Sequence, residues 1–222
     1  MNKAASNSSQ DKQRALAEFL RRKCLVATQR SSSGYRTRPV EVWLARRALE
    51  RLLSCWPPTL LHSLATAAHG YVVIGERATA YTPGPRDLDG RELRSVALLH
   101  TADLKLAPER VAQALARLVD YLLGSGPGGQ LRAVTDGAAC SRAWQDFARR
   151  LLSSCQLAYH NKPAGEISPA EYFAWAFALY CERPEDLVAQ DPLAYRLLHS
   201  TVFSEAFWRG HPLEDVPCTP TN

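Results

Sequence analysis

The sequence lacks the short motifs of the common catalytic sites and any apolar segment long enough to cross a bilayer. It contains no glycine-rich phosphate loop, no GxSxG nucleophile motif and no HExxH zinc motif. No uninterrupted apolar stretch reaches the ~18 residues that a membrane helix requires. Residues 1–11 are polar and lack the apolar core of a cleaved signal peptide. We therefore expect no membrane span, and a protein that is cytoplasmic or secreted by a signal-peptide-independent route.

The cysteines lack the spacing that is typical of a structural zinc site or a disulfide scaffold. The chain has six cysteines, no CxxC pair and no regular interval between them: Cys24, Cys55, Cys140, Cys155, Cys181 and Cys218. This pattern argues against a zinc ribbon or a disulfide scaffold and predicts free thiols in a reducing compartment. With 222 residues, 46% of them hydrophobic, the chain can build a core without such cross-links.

Positive charge is concentrated at one end of the chain. The net charge is +5, but residues 1–55 carry +8 and residues 56–222 carry −3. A basic segment of this kind can contact nucleic acid or an anionic surface, or it can be a solvated helix face. Residues 12–51 are the candidate binding segment, and its basic patch is formed by Arg21, Arg22, Lys23, Arg46, Arg47 and Arg51.

The pattern along the chain predicts an α+β protein, mostly helical, with a small sheet in the middle. Apolar spacing predicts a first helix that ends before the serine-rich loop at residues 31–34, and a second over residues 40–55. Residues 70–75 and 93–100 read as strands, residues 77–81 as a weaker one, and residues 83–90 as a turn-rich loop. Helices follow from residues 108, 138 and 168 and again over residues 184–208, and residues 1–11 and 211–222 are expected to be disordered tails.

Three segments of the second half resemble the C-terminal domain of the anthrax toxin lethal factor family, which are zinc peptidases of the zincin-like fold. The first is residues 80–83 followed by residues 94–101, an aromatic–proline turn and then a strand that ends in Leu-Leu-His. The second is the helix over residues 111–121, which lies where the family has its HExxH helix. The third is Ser168-Pro-Ala-Glu-Tyr-Phe-Ala-Trp-Ala-Phe177, which resembles the later helix that supplies the third zinc ligand. The resemblance implies a peptidase-like domain over residues 76–210. The segment before it, residues 12–75, lies outside the resemblance and is predicted to be basic and helical from its charge and apolar spacing.

The resemblance also shows that the catalytic positions are replaced. Carried over residue by residue, the two zinc-binding histidines correspond to Gln113 and Arg117, the glutamate base to Ala114 and the third ligand to Glu171. Gln113 is a poor zinc ligand, Ala114 cannot transfer a proton, and Arg117 places a fixed positive charge where the cation would bind. The resemblance thus implies a degenerate HExxH motif, no catalytic residues and no metal cofactor.

Two arrangements of Glu171 remain open from the sequence. If the ligand positions face each other, Arg117 and Glu171 form an ion pair that joins the two helices in place of the metal. Alternatively, Ser168-x-x-Glu171 is a capping box, in which the carboxylate accepts a hydrogen bond from the Ser168 backbone N–H.

The favoured function is that of a pseudopeptidase: an inactive peptidase-like domain that binds a protein or peptide partner, in a setting of bacterial toxins or effectors that the resemblance implies. One alternative is an active zinc peptidase with relocated ligands, drawn from His100, His160, Glu166, Glu171 and Glu182. The other is a binder of nucleic acid or anionic surfaces through residues 12–51.

Overall fold

The computed structural model describes residues 2–27, 39–88, 90–126, 130–159 and 167–213. Among them are ten α-helices around a small mixed sheet, so the predicted α+β class is confirmed. The helices are α1 (Asn2–Lys23), α2 (Pro39–Leu52), α3 (Pro58–Thr66), α4 (Asp103–Leu106), α5 (Pro108–Ser125), α6 (Arg142–Tyr159), α7 (Pro169–Glu182), α8 (Pro184–Gln190), α9 (Pro192–Ser200) and α10 (Glu205–Gly210). None of the helices described is both long and apolar enough to span a membrane.

The main sheet has four strands in the order β1-β2-β6-β3. Strands β1 (Cys24–Val26), β2 (Tyr71–Gly75) and β6 (Val96–His100) are parallel, and β3 (Ala80–Thr82) pairs antiparallel with β6. A separate hairpin joins β4 (Arg86–Leu88) to β5 (Arg91–Leu93). Strand β3 is therefore an edge strand, and it lies beside helix α5.

The sheet crosses the predicted boundary between an N-terminal segment and a peptidase-like domain. Strand β1 pairs with β2 through Leu25 and Val73, and β2 pairs with β6 through Val73 and Leu98. The buried side chains of α1, α2 and α3 also belong to the same core cluster as those of α5, α6 and α7. Residues 12–27 and 39–75 thus contribute to the same sheet and core as the helices of the second half.

Three local predictions differ from the structure. Helix α1 begins at Asn2, within the segment predicted to be a disordered tail, and it ends at Lys23, so the predicted helix does not continue through Leu25. The apolar residues up to Leu25 have helical spacing, but pairing with β2 requires an extended backbone at Cys24–Val26. The predicted loop over residues 83–90 contains strand β4. The predicted C-terminal tail and the loop at residues 31–34 lie mostly or wholly outside the described residues.

The strand predicted over residues 93–100 is two strands with a bend between them. Ser95 has a φ of 56°, the left-handed region that non-glycine residues rarely adopt, and its side chain is buried. The bend lets Leu93 end the β4–β5 hairpin while Val96 begins a strand of the main sheet. This change of sheet depends on tertiary pairing, which explains why apolar content alone predicted one continuous strand.

Helices α5 and α7 form the centre of the core. The aromatic side chains of α7 that the sequence assigned to core packing, Phe173 and Phe177, are fully buried. Phe177 contacts Trp56 with ring centroids 5.4 Å apart in an edge-to-face geometry, which links α7 to the end of α2. Helix α5 ends where Gly126 adopts a φ of 70°.

We expect Gly124→Ala to lower the free energy of unfolding by about 3 kcal/mol. A Cβ at Gly124 would lie 2.6 Å from the Ala133 carbonyl carbon and the Val134 nitrogen and would also clash with the Arg132 carbonyl oxygen. These are backbone atoms, which cannot rotate away as a side chain would. Equilibrium urea unfolding measures the effect.

Gly210→Ala is the matched control for that substitution. Gly210 is also helical, in α10, but a Cβ there meets no atom within 4 Å. Alanine has the better helix propensity, so this variant should be neutral or stabilised by up to ~1 kcal/mol. Equal destabilisation of the two variants would show that close packing at Gly124 is not the cause.

Candidate functional site

The predicted site positions lie on neighbouring helices, α5 and α7, which pack against each other. On α5, Gln113 and Arg117 are one turn apart and half-buried, whereas Ala114 is 6% exposed and faces the core. On α7, Glu171 is exposed at the first turn. The structure therefore brings Gln113 and Arg117 to the accessible side of α5, and it turns inward the methyl group of Ala114, the residue that the resemblance aligns with a glutamate base.

Arg117 is paired with a carboxylate of its own helix. Its guanidinium lies 3.0 Å from Asp120 Oδ2, one turn further along α5. Asp120 is completely buried and accepts two more hydrogen bonds from Thr135, from the backbone N–H at 3.0 Å and from the hydroxyl at 2.8 Å. The carboxylate thus joins α5 to the short 3₁₀ turn Val134–Asp136 and is capped at the surface by the arginine.

Glu171 forms the capping box of α7. Its carboxylate accepts a hydrogen bond from the Ser168 backbone N–H at 2.9 Å, and the Ser168 hydroxyl accepts one from the Glu171 N–H at 3.2 Å. These hydrogen bonds hold the pKa of Glu171 below its usual range, with a smaller contribution from the charge of Arg117. Among the described residues the ion pair of Arg117 is with Asp120, so the Arg117–Glu171 pair predicted from facing ligand positions is replaced by two local interactions. The physical reason is that both groups have a partner three residues away on or beside their own helix.

Two tyrosines extend the accessible side of α5 toward the sheet edge. Tyr121 is one turn beyond Arg117, and its ring centroid is 5.3 Å from that of Tyr81 on strand β3. The Tyr81 hydroxyl is 2.9 Å from the hydroxyl of Ser95, the residue with the left-handed backbone. Burial raises the pKa of Tyr81 well above its usual range, so its hydroxyl stays protonated. The surface formed by Gln113, Arg117, Tyr121, Tyr81 and Glu171 is here called the α5–β3 surface.

Asp120, the buried partner of Arg117, has a raised pKa: burial shifts it from 3.8 to about 6. Desolvation is the largest cause, because a carboxylate that is removed from water loses more free energy than a neutral carboxyl group. The two hydrogen bonds from Thr135 and the charge of Arg117 act in the other direction. At neutral pH the carboxylate is ionised and Arg117 supplies its counter-charge, so this arginine is committed to Asp120 and is not a free binding group.

The ligands of the relocated-zinc alternative are dispersed over the structure. Glu171 and Glu182 lie at opposite ends of α7, about 16 Å apart along the helix axis at ~1.5 Å per residue, so one ion cannot bind both. His100 ends β6, and its Nδ1 accepts a hydrogen bond from the Ala102 N–H at 3.2 Å. His160 and Glu166 lie outside the described residues. Within the part of the chain that is described, no three His, Cys, Asp or Glu side chains are placed to hold a metal ion.

The basic patch predicted over residues 12–51 is largely engaged in local contacts. Lys23 is 5% exposed: its ammonium donates to the carbonyl oxygens of Ala67 and His69, and burial lowers its pKa to about 8. Arg22 pairs with Glu18, and both Arg46 and Arg47 pair with Glu50. Lys23 is therefore an interior residue and not part of a surface patch, because it directly precedes strand β1, which pairs with β2 in the main sheet. The remaining members of the patch, Arg21 and Arg51, are exposed.

Sequence reasoning missed the polar groups around the predicted positions. Asp120, Tyr81 and Ser95 lie within the segments that carry the resemblance but received no individual role there, and Thr135 was not named. The signal for Asp120 was its place on the apolar stripe of α5, three residues after an arginine, since a buried carboxylate requires a partner. Nothing local marks Ser95 or Thr135, because their roles arise from contacts with residues 14 and 15 positions away.

Asp120→Asn should change the pH dependence of stability. The pKa of the folded carboxyl, about 6, exceeds its ordinary value of 3.8. Between these values the folded protein retains a proton that the unfolded chain has released, so this group favours folding below pH 4 and that contribution is lost as pH rises through 6. From pH 4 to pH 7 the free energy of unfolding of the unsubstituted protein should therefore fall by about 2 kcal/mol relative to the variant.

Urea unfolding of both proteins at several pH values measures this difference. Asp136→Asn is the matched control, since Asp136 lies in the same 3₁₀ turn as Thr135 but is exposed. That variant should follow the pH profile of the unsubstituted protein. A constant difference between the unsubstituted protein and Asp120→Asn across the range would contradict the raised pKa.

Comparisons with known proteins identify no relative from which a function could be transferred. No family model matches the chain, and neither the curated proteins nor the solved structures include a significant match. The function is therefore argued from the α5–β3 surface and from the residues at the degenerate positions.

Proposed function

We propose that this protein is a pseudopeptidase, a peptidase-like scaffold without catalytic groups that binds a protein or peptide partner at the α5–β3 surface. The main support for the proposal is the identity of the α5 residues at the positions that the resemblance assigns to zinc binding and catalysis. Ala114 presents a buried methyl group where a zinc peptidase needs its base, and Arg117 presents a guanidinium where it needs its second histidine. A bacterial toxin or effector system is the setting that the resemblance implies.

The charge of Arg117 argues against a cation at this position. A guanidinium remains protonated at any physiological pH, so it cannot donate a lone pair to a metal. Its partner Asp120 is buried and already accepts hydrogen bonds from Thr135. A dication in place of Arg117 would have only one protein ligand at the surface, the weak ligand Gln113, and would not stay bound. The hydrogen-bonded carboxylate of Asp120 would then lose the counter-charge that it has now.

The edge strand supplies the binding element of the proposal. Strand β3 pairs with β6 on one side and ends the sheet on the other, so an extended peptide can add to it by backbone hydrogen bonds. Beside it, the α5–β3 surface offers the aromatic rings of Tyr81 and Tyr121 and the amide of Gln113. These groups can select the side chains of a bound strand, while the methyl group of Ala114 cannot act as the base that cleavage of the peptide bond needs.

The first experiment measures zinc content and peptide cleavage on the purified chain. We expect less than stoichiometric zinc after dialysis and no cleavage of a peptide array. On the same array, binding of the tightest peptides should slow amide hydrogen exchange at Ala80–Thr82 and leave the exchange of α9 unchanged. Stoichiometric zinc that a chelator removes, together with cleavage, would refute the proposal.

A restored site tests the scaffold itself. In the double variant Gln113→His with Arg117→His, two imidazoles lie one turn apart on α5, the helix that packs against α7 and its Glu171. If the scaffold is peptidase-like, this variant should bind zinc at least about tenfold more tightly than a histidine pair alone, because a carboxylate completes the ligand set.

The matched control places the same histidine pair on another helix. Arg149→His with Ser153→His gives an exposed pair one turn apart on α6. A second control adds Glu171→Gln to the restored site; glutamine keeps the capping box but is a poor zinc ligand. Equal zinc affinity in all three variants would show that α5 and α7 do not have the geometry of a zinc-peptidase site.

A further inference from the structure

Two cysteines far apart in the sequence meet at the wall of a cavity on the other side of α5. The sulfurs of Cys55, at the end of the 3₁₀ turn Leu53–Cys55, and Cys181, near the end of α7, are 3.5 Å apart. Both residues are half-buried and both line a cavity of about 530 Å³ between α2, α4 and α7. A cavity of this size can hold a small organic molecule.

The charges that line this cavity are mainly positive. Arg47 and Arg51 of α2 and Lys105 of α4 lie on its wall, and Glu182 supplies one carboxylate. Arg47 is paired with Glu50, while Arg51 and Lys105 have no ion-pair partner among the residues that the structure describes. Such a wall favours a ligand with several carboxylates and an ammonium group, the charge pattern of disulfides derived from cysteine.

The two thiols differ in their tendency to ionise. The hydrogen bond with Cys181 lowers the pKa of Cys55, and the charge of Lys12 acts in the same direction, against the effect of burial. Burial raises the pKa of Cys181 far above its usual range, and the neighbouring Cys55 acts in the same direction. Cys55 is therefore the nucleophile of the pair, since the thiolate is the reactive form, and Cys181 is the second, resolving thiol.

We propose that Cys55 and Cys181 form a dithiol site that reduces a carboxylate-bearing disulfide bound in the cavity lined by Arg51 and Lys105. This activity is independent of the α5–β3 surface and of the pseudopeptidase proposal. It goes beyond the sequence prediction of free thiols, because it assigns a reaction to two of them.

The reaction consists of two thiol–disulfide exchanges. The Cys55 thiolate attacks one sulfur of the substrate R–S–S–R; the bond between the substrate sulfurs breaks, one thiolate leaves and takes up the proton that Cys55 lost, and Cys55 is joined to the other half. The Cys181 thiol then loses its proton and attacks the Cys55 sulfur, and the second half leaves with that proton. The substrate is reduced to two thiols, and the protein is oxidised to a Cys55–Cys181 disulfide.

The experiment uses glutathione disulfide as the carboxylate-bearing probe and hydroxyethyl disulfide as the neutral one. All proteins carry Cys218→Ser, because Cys218 lies outside the described residues. After quenching by alkylation, mass spectrometry of peptides identifies the product at each cysteine. We expect a cross-link of the Cys55 and Cys181 peptides, formed at pH 7 at least about tenfold faster than modification of Cys24, whose pKa burial raises to about 11.

Single-cysteine variants separate the two roles. Cys181→Ser should accumulate a glutathione adduct on Cys55, and Cys55→Ser should leave Cys181 unmodified over the same time. Cys24→Ser is the matched control and should react at the rate of the parent protein. Reaction of Cys55 no faster than of Cys24, or a cross-link between a different pair, would overturn the dithiol site.

Charge variants test the class of substrate. Arg51→Gln with Lys105→Gln should slow the reaction with glutathione disulfide about fivefold and leave the reaction with hydroxyethyl disulfide unchanged, because only the first probe carries carboxylates. Arg196→Gln, an exposed arginine of α9 outside the cavity, is the control and should change neither rate. Equal effects on both probes, or none on either, would refute selection by charge.

Discussion

Helix α5 depends on one buried carboxylate, and the neighbouring structure is arranged around it. Asp120 lies on the apolar side of the helix, and its two hydrogen bonds from Thr135 bring the chain after α5 back against it. That return places the backbone of residues 132–134 in contact with Gly124, where no larger residue fits. Arg117 covers the carboxylate from the solvent side. The carboxylate of Asp120 thus holds the chain that follows α5 against the helix, and it positions Arg117 on the surface above it.

This arrangement also bears on what the protein can do. Under the proposed function, Arg117 has two roles: it neutralises a buried carboxylate, and it occupies the position that the resemblance assigns to a zinc-binding histidine. Strand β3 lies at the edge of the sheet, so its use as a binding element would not require a metal. Binding without cleavage is therefore the function that we propose for this surface.

Except for the start of α1 and the short helix α4, the helices could be predicted from the sequence to within a few residues. The apolar stripe of α5, the proline at its start and the glycine after its end are local signals, and the capping box of α7 is formed by residues three apart. Strand β1 and the bend at Ser95 could not be predicted in this way, because each exists through pairing with distant strands. The same limit applies to Lys23, whose basic character indicated a surface role although its ammonium is satisfied by two carbonyl groups more than 40 residues away.

The sequence by itself determined which residues stand at the positions that the resemblance assigns to a zinc site: Gln113, Ala114 and Arg117. None of these side chains can perform zinc-dependent hydrolysis. Only the tertiary structure decided which partners these residues take. Arg117 pairs with Asp120 and Glu171 caps its own helix, because a partner three residues away costs less conformational entropy than one on another helix. Cys55 and Cys181 show the opposite case, since 126 positions separate them and packing of α7 against the end of α2 brings their sulfurs together.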